Sequence, residues 1–144
     1  MGMADVSSTL WRERNLLELL LFKLEEEQLI LAAGRSRWLA RATAEVEMVL
    51  GEIKGAELQR AVEVDGLAAE LGLHPNPSLS ELAAVAPEPW NGLLEQHRAA
   101  FLVATQEITE LATMNREMLA AGLRATEEAL AWLVGADPGK ALLA

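Results

Sequence analysis

From Trp90 to Trp132 the side chains that recur at alternating steps of four and three form an unbroken series. They are Trp90, Leu94, His97, Phe101, Ala104, Ile108, Leu111, Asn115, Met118, Gly122, Ala125, Ala129 and Trp132. A mean spacing of 3.5 residues is the signature of a supercoiled helical seam, and a strand, with period two, cannot carry it. Ten of these thirteen positions are apolar, so His97, Asn115 and Gly122 stand out as interruptions. The stretch is therefore predicted to be one long helix with a seam facing partners, spanning about 89–134.

The same spacing runs through Leu39, Ala42, Val46, Val49, Ile53 and Ala56. A wider apolar stripe passes through Leu10, Leu17, Leu21, Leu24 and Leu31, with Leu16, Leu20 and Phe22 beside it. A stripe that wide needs more than one partner helix, or another chain. The breaks between these segments are local. Gly34, in Ala33-Gly34-Arg35-Ser36, suits the left-handed residue that ends a helix, and Ser36 is a candidate cap for the next. Pro75 and Pro77 cannot lie inside a helix. Ser78 followed by Glu81 has the pattern of a capping box. Ala86-Pro87-Glu88-Pro89 closes the short helix that follows, and Pro89 suits a first helical turn.

The expected architecture is all-α: an elongated antiparallel three-helix bundle or coiled coil with a long C-terminal helix and one short connecting helix. The helices are expected at about 8–33, 36–71, 79–85 and 89–134, in a single helical domain over 1–144 with a frayed tail at 135–144. Composition agrees. Leu, Ala, Glu, Arg and Lys make up 83 of 144 residues, whereas Tyr is absent and only two Phe occur, poor material for a sheet.

Charge and chemistry remove several functions. The formal net charge of −10 argues against nucleic-acid binding, which needs a basic surface. No apolar run reaches the ~18–20 residues of a membrane span, and the first residues lack the basic region of a signal peptide, so a soluble cytoplasmic protein is expected. With no Cys, thiolate nucleophiles and Cys-based metal sites are excluded. His74, among turn residues, reads as solvated. His97, on the seam, reads as a neutral, hydrogen-bonded or partly exposed histidine rather than a catalytic one. Glu95 and His97 are two apart and face different ways, unlike the Glu-x-x-His pairs of di-iron bundles. Glu25-Glu26-Glu27 reads as a solvated face. Gly135-x-x-x-Gly139-Lys140 is a poor echo of a phosphate loop. No enzyme, cofactor or metal site is expected.

Two features remain. Asn115 on an apolar seam is expected to fix register or oligomer state at a cost in stability, and it can also face a bound peptide. The end of the long helix is apolar and rich in adaptable side chains: Met114, Met118, Leu119, Leu123, Leu130, Trp132, Leu133 and Val134. Because this helix outruns the first by about 20 residues, part of it should extend past the cover of the hairpin and offer a docking face for another helix.

These residues resemble the FlgN-type flagellar export chaperones. The shared pattern is a Leu/Glu-rich first helix (Leu16-Leu17-Glu18-Leu19-Leu20 through Glu25-Glu26-Glu27), a glycine turn at Gly34, and a second helix from Trp38-Leu39. Further on comes an Asn ahead of an apolar helix, here Met114-Asn115-Arg116-Glu117-Met118-Leu119. The resemblance covers about 10–135 and implies a binding module. It implies that the protein holds the C-terminal amphipathic helices of hook–filament junction proteins in the cytoplasm. Premature polymerisation is thereby prevented, and the clients pass to the type III export apparatus and its gate components. By the same resemblance the partner-binding residues are Leu111, Met114, Asn115, Met118, Leu119, Gly122 and Leu123. Two alternatives stand beside it. Trp90-Asn91-Gly92 resembles the Trp-x-Gly turn of small secreted helical proteins of the WXG class, and a structural coiled-coil homo-oligomer needs no client at all.

Overall fold

The computed structural model describes residues 2–135. They form four helices: α1 (Met3–Ala32), α2 (Ser36–Leu71), α3 (Leu79–Val85) and α4 (Trp90–Gly135). At 30, 36 and 46 residues, the three long helices run roughly 45, 54 and 69 Å. α1 and α2 pair as an antiparallel hairpin. α4 returns parallel to α1, with His97 beside Ser7 and Arg14, and Asn115 beside Leu24 and Glu27. α1 thus lies between two neighbours, which bury Leu10, Leu20 and Leu24 of its wide apolar stripe and half-cover Leu16, Leu17, Leu21 and Leu31, while Phe22 stays exposed.

The hairpin turn follows from its glycine. Gly34 takes φ +66°; its N–H donates to the Leu31 carbonyl, and the Arg35 N–H donates to that of Ile30. Two of the carbonyls left open at the end of α1 are satisfied by this Schellman arrangement. It consumes Gly34 and Arg35, so α2 begins at Ser36 itself. Ser36 is therefore not the cap: Arg35 holds that position and no side chain caps the helix. Gly72, at φ +72°, ends α2 in the same left-handed way. Ser78 and Glu81 form the expected capping box, with the Glu81 N–H donating to Ser78 Oγ at 3.1 Å and the Ser78 N–H to Glu81 Oε1 at 3.2 Å.

α1 starts five residues earlier than the apolar stripe suggests. The Gly2 N–H donates to the Asp5 carboxylate at 3.0 Å, and Met3 and Val6 are buried. They join Leu10, Val64, Leu67, Leu82, Ala83 and Leu94 in a core where α1, α2, α3 and α4 meet, with Trp90 and Phe101 packed on its edge. A second core, nearer the hairpin turn, is built from Leu20, Leu24, Val46, Val49 and Ile53, with Ile108 and Leu111 of α4 against it. Gly135 is the last helical residue; residues 136–144, the tail expected to fray, lie outside the described residues.

Candidate partner-binding site

The seam of α4 works as a seam only up to Met118. Leu94, His97 and Asn115 are buried, and Phe101, Ala104, Ile108, Leu111 and Met118 are half-buried. Beyond Met118 every described residue of α4 is exposed except the half-buried Leu133. The cause is length. Asn115 sits beside Glu27, and α1 ends five residues later at Ala32, so α4 passes the hairpin turn near residue 120. About fifteen residues, roughly 22 Å of helix, continue alone. Leu123 is 60% exposed, Leu130 56%, Trp132 67% and Val134 66%. Leu119, Leu123, Leu130 and Val134 fall within one stripe, because steps of 4, 7 and 4 return nearly to the same side of an α-helix.

The base of this rod is held by a polar tie between all three long helices. Asn115 Nδ2 donates to the Leu24 carbonyl at 2.9 Å and to Glu27 Oε1 at 3.0 Å. The other Glu27 oxygen accepts from Thr43 Oγ1 of α2 at 2.8 Å. Asn115 is 1% exposed, and its Oδ1 has no hydrogen-bond partner among the described residues. An apolar side chain here would leave the buried Glu27 Oε1 without this donor, so the amide ties α4 to α1 at one register. Glu27 corrects the reading of Glu25-Glu26-Glu27 as a solvated face. Glu25 is exposed and Glu26 reaches Lys23 at 3.7 Å, but Glu27 is interior.

The seven residues predicted to bind a partner therefore divide. Leu111 packs in the second core and Asn115 faces α1, so both are engaged by the chain itself. Met118 is half-buried where the cover ends. Met114, Leu119, Gly122 and Leu123 lie on the surface, and the sulfur of Met114 accepts a long hydrogen bond from Gln28 Nε2 of α1.

His97 is buried and neutral, as the seam position suggests. Arg14 can only donate, so its contact at 3.4 Å makes Nδ1 the acceptor and leaves the proton on Nε2, which donates to Ser7 Oγ at 3.4 Å. Burial and the adjacent Arg14 cation both hold its pKa below the ordinary histidine value. Trp11 meets the ring edge-on, 5.1 Å away. His74 departs from expectation: it is exposed, yet it pairs with the second oxygen of the Glu81 cap. That carboxylate raises the His74 pKa, with help from the Pro75 carbonyl.

A second polar layer lies toward the other end of α1. Arg60 Nε donates to Glu13 Oε1 at 2.6 Å, and Thr9 Oγ1 donates to Glu63. Burial raises the Glu13 pKa more than the Arg60 cation lowers it. Sequence reasoning found Asn115 but missed Glu27 and the whole of the second layer, although the signal was present. Met3, Val6, Leu10, Glu13, Leu17, Leu20, Leu24, Glu27 and Leu31 alternate steps of three and four throughout, so Glu13 and Glu27 occupy seam positions. Arg60 and Glu63 continue the α2 seam in the same way.

An all-helical hairpin with an uncovered, apolar helical extension is the anatomy of a protein-binding module. Among the described residues no three His, Cys, Asp or Glu side chains gather to hold a metal, and no helix is long and apolar enough to cross a membrane. The family model described as FlgN protein matches residues 1–140, and the chain belongs to that family, one of chaperones for flagellar export. Trp90, in the Trp-x-Gly tripeptide, is packed against the first core. No curated protein and no solved structure matches the chain.

Proposed function

We propose that this protein is a cytoplasmic chaperone that takes the C-terminal amphipathic helices of hook–filament junction proteins onto the bare rod of α4. It keeps those helices from polymerising and hands the client to the type III export apparatus. The observation that carries the reading is the row of leucines and Trp132 beyond residue 118, exposed on a helix that has lost its partners. An unassembled amphipathic helix has the complementary need, an apolar face without cover. Docking buries both faces and removes the client surface that would otherwise self-associate. Leu119, Gly122 and Leu123 form the centre of the contact, with Met114 and Met118 at its lower edge. Leu111 and Asn115 support the contact from beneath by fixing α4 on α1.

The test is a titration of the purified protein with the C-terminal helical segment of a junction protein, followed by calorimetry and by the change in tryptophan fluorescence that Trp132→Phe removes. A 1:1 complex is expected. Each leucine contributes about 1–2 kcal/mol when buried, so Leu123→Asp with Leu130→Asp should weaken binding at least tenfold while helicity by circular dichroism is kept. A tight homodimer that takes up no segment, or an affinity indifferent to both substitutions, refutes the reading.

A further inference from the structure

Although the chain carries a net charge of −10, residues 29–41 contain Arg35, Arg37 and Arg41 and no acidic residue. This basic stretch is the hairpin turn and the first turns of α2. Residues 32–38 are all exposed. Among the described residues neither Arg35 nor Arg37 pairs with a carboxylate, whereas Arg41 reaches Glu45 at 3.8 Å. The Arg37 guanidinium lies 4.6 Å over the ring of Trp38, which is itself 45% exposed. One helical turn before the end of α1, Leu29 is exposed as well. The turn therefore offers both cationic and apolar surface.

Its position gives it meaning. The turn is level with α4 near residue 120, where the bare stripe begins. Charge along the rod is graded: Arg124 stands in its lower half, and Glu127 and Glu128 stand above. We propose that the hairpin turn and the rod form one docking surface for a single amphipathic helix with an acidic flank at one end. Its apolar face lies along Leu119, Leu123 and Leu130, and its acidic end lies against Arg35 and Arg37. The rod supplies apolar area and the arginines supply direction. A guest docked upside down would place its carboxylates beside Glu127 and Glu128 and leave the arginines unmatched. The inference rests on the reading of the rod as the client surface and adds to it the charge pattern and polarity of the client helix.

The probe is the junction-protein segment used above, in its natural form and with the acidic residues of its flank changed to amides. Arg35→Glu with Arg37→Glu should weaken the natural segment about tenfold, since charge reversal at two exposed sites replaces attraction by repulsion. It should also reverse the salt dependence, from the fall in affinity with rising salt expected of the unaltered protein to a rise, because salt then screens a repulsion. The amide segment should bind the unaltered protein more weakly and be nearly indifferent to the arginine substitutions. If Leu123→Asp with Leu130→Asp destroys binding while the arginine variant keeps both affinity and salt dependence, the arginines have no part and the rod reading stands. If neither pair of substitutions changes affinity, the rod reading falls and this inference falls with it. Because Arg35 and Arg37 are solvent-exposed, the variant should melt within a few degrees of the unaltered protein, which circular dichroism checks.

Discussion

Asn115→Asp probes the tie beneath the rod. The substitution is isosteric, so packing is unchanged, but it places a second carboxylate where an amide donates to Glu27 Oε1 at 3.0 Å. Two full charges at that separation repel by about 5–6 kcal/mol at an effective dielectric constant near 20. Protonating one of them is cheaper. Taking a carboxyl from its ordinary pKa near 4.3 to its acid form at pH 7 costs about 3.7 kcal/mol, so the pair will share a proton rather than bear the repulsion. Protonation therefore decides the outcome, and the expected loss at pH 7 is about 3–4 kcal/mol.

The pH dependence fixes the mechanism. In the folded variant one carboxyl of the pair has a raised pKa, so the folded state holds one more proton than the unfolded chain above pH ~4.3. Its stability is then fully present below that value and declines as pH rises, by about 1.4 kcal/mol per unit. Urea unfolding at pH 7, 6 and 5 should show the variant gaining on the unaltered protein at each step down. Adding Glu27→Gln, whose amide can donate to the introduced carboxylate, should restore most of the loss at pH 7 and flatten the dependence. A variant as stable as the original at pH 7, or equally destabilised at pH 5 and 7, would show that Glu27 and Asn115 do not meet in solution.

The two histidines should tilt stability in opposite directions. His97 has a lowered pKa, so its contribution is present above pH ~6.5 and lost as pH falls through its folded value; His97→Leu should flatten the acid side of a stability profile between pH 7 and 5. His74 has a raised pKa, so its contribution is complete below pH ~6.5 and lost as pH rises through its folded value; His74→Gln should make stability less sensitive between pH 6.5 and 8. Arg60→Met leaves Glu13 buried without a cation, and equilibrium unfolding should show a loss of about 2–3 kcal/mol at pH 7. The double change Glu13→Leu with Arg60→Met should recover most of it.

How much of this was legible in the sequence depends on which interaction fixed each element. Helix boundaries at Gly34, Gly72 and Ser78 were readable because the backbone or a neighbouring side chain decides them locally. The α2 seam was readable because Ala42, Val46, Val49, Ile53 and Ala56 are all apolar, and all are buried. The polar seam positions were not, because a lone Glu13 or Glu27 looks solvated until its partner on another helix is known. Arg60 lies 47 residues from Glu13, and Asn115 lies 88 from Glu27. The length mismatch behind the rod was legible as arithmetic on three helices. Which side chains of α4 it would bare required the register, which is visible only in the pairing of Asn115 with Leu24 and Glu27. The basic hairpin turn escaped notice because a net charge of −10 conceals three local arginines.

A bare helix of about fifteen residues is a poor structure by itself, since isolated helices of that length are marginal in water. α4 avoids the cost of nucleation because the rod extends a helix already fixed by packing along 94–118. Composition does the rest: Ala, Leu, Glu and Arg dominate 120–131 and propagate a helix well, with Gly122 and Thr126 the weaker links. The leucines are thus displayed in a fixed row rather than collapsed against the hairpin, which has no covering surface to offer at that height. For a guest helix this matters energetically. Ordering a disordered segment costs several kcal/mol of the gross binding energy, and here only one of the two faces has to be ordered. Shortening the hairpin would lengthen the rod and bare more leucine, whereas lengthening α1 and α2 by two turns would cover Leu123. The extent of the client surface is therefore set by the difference in length between α4 and its own hairpin.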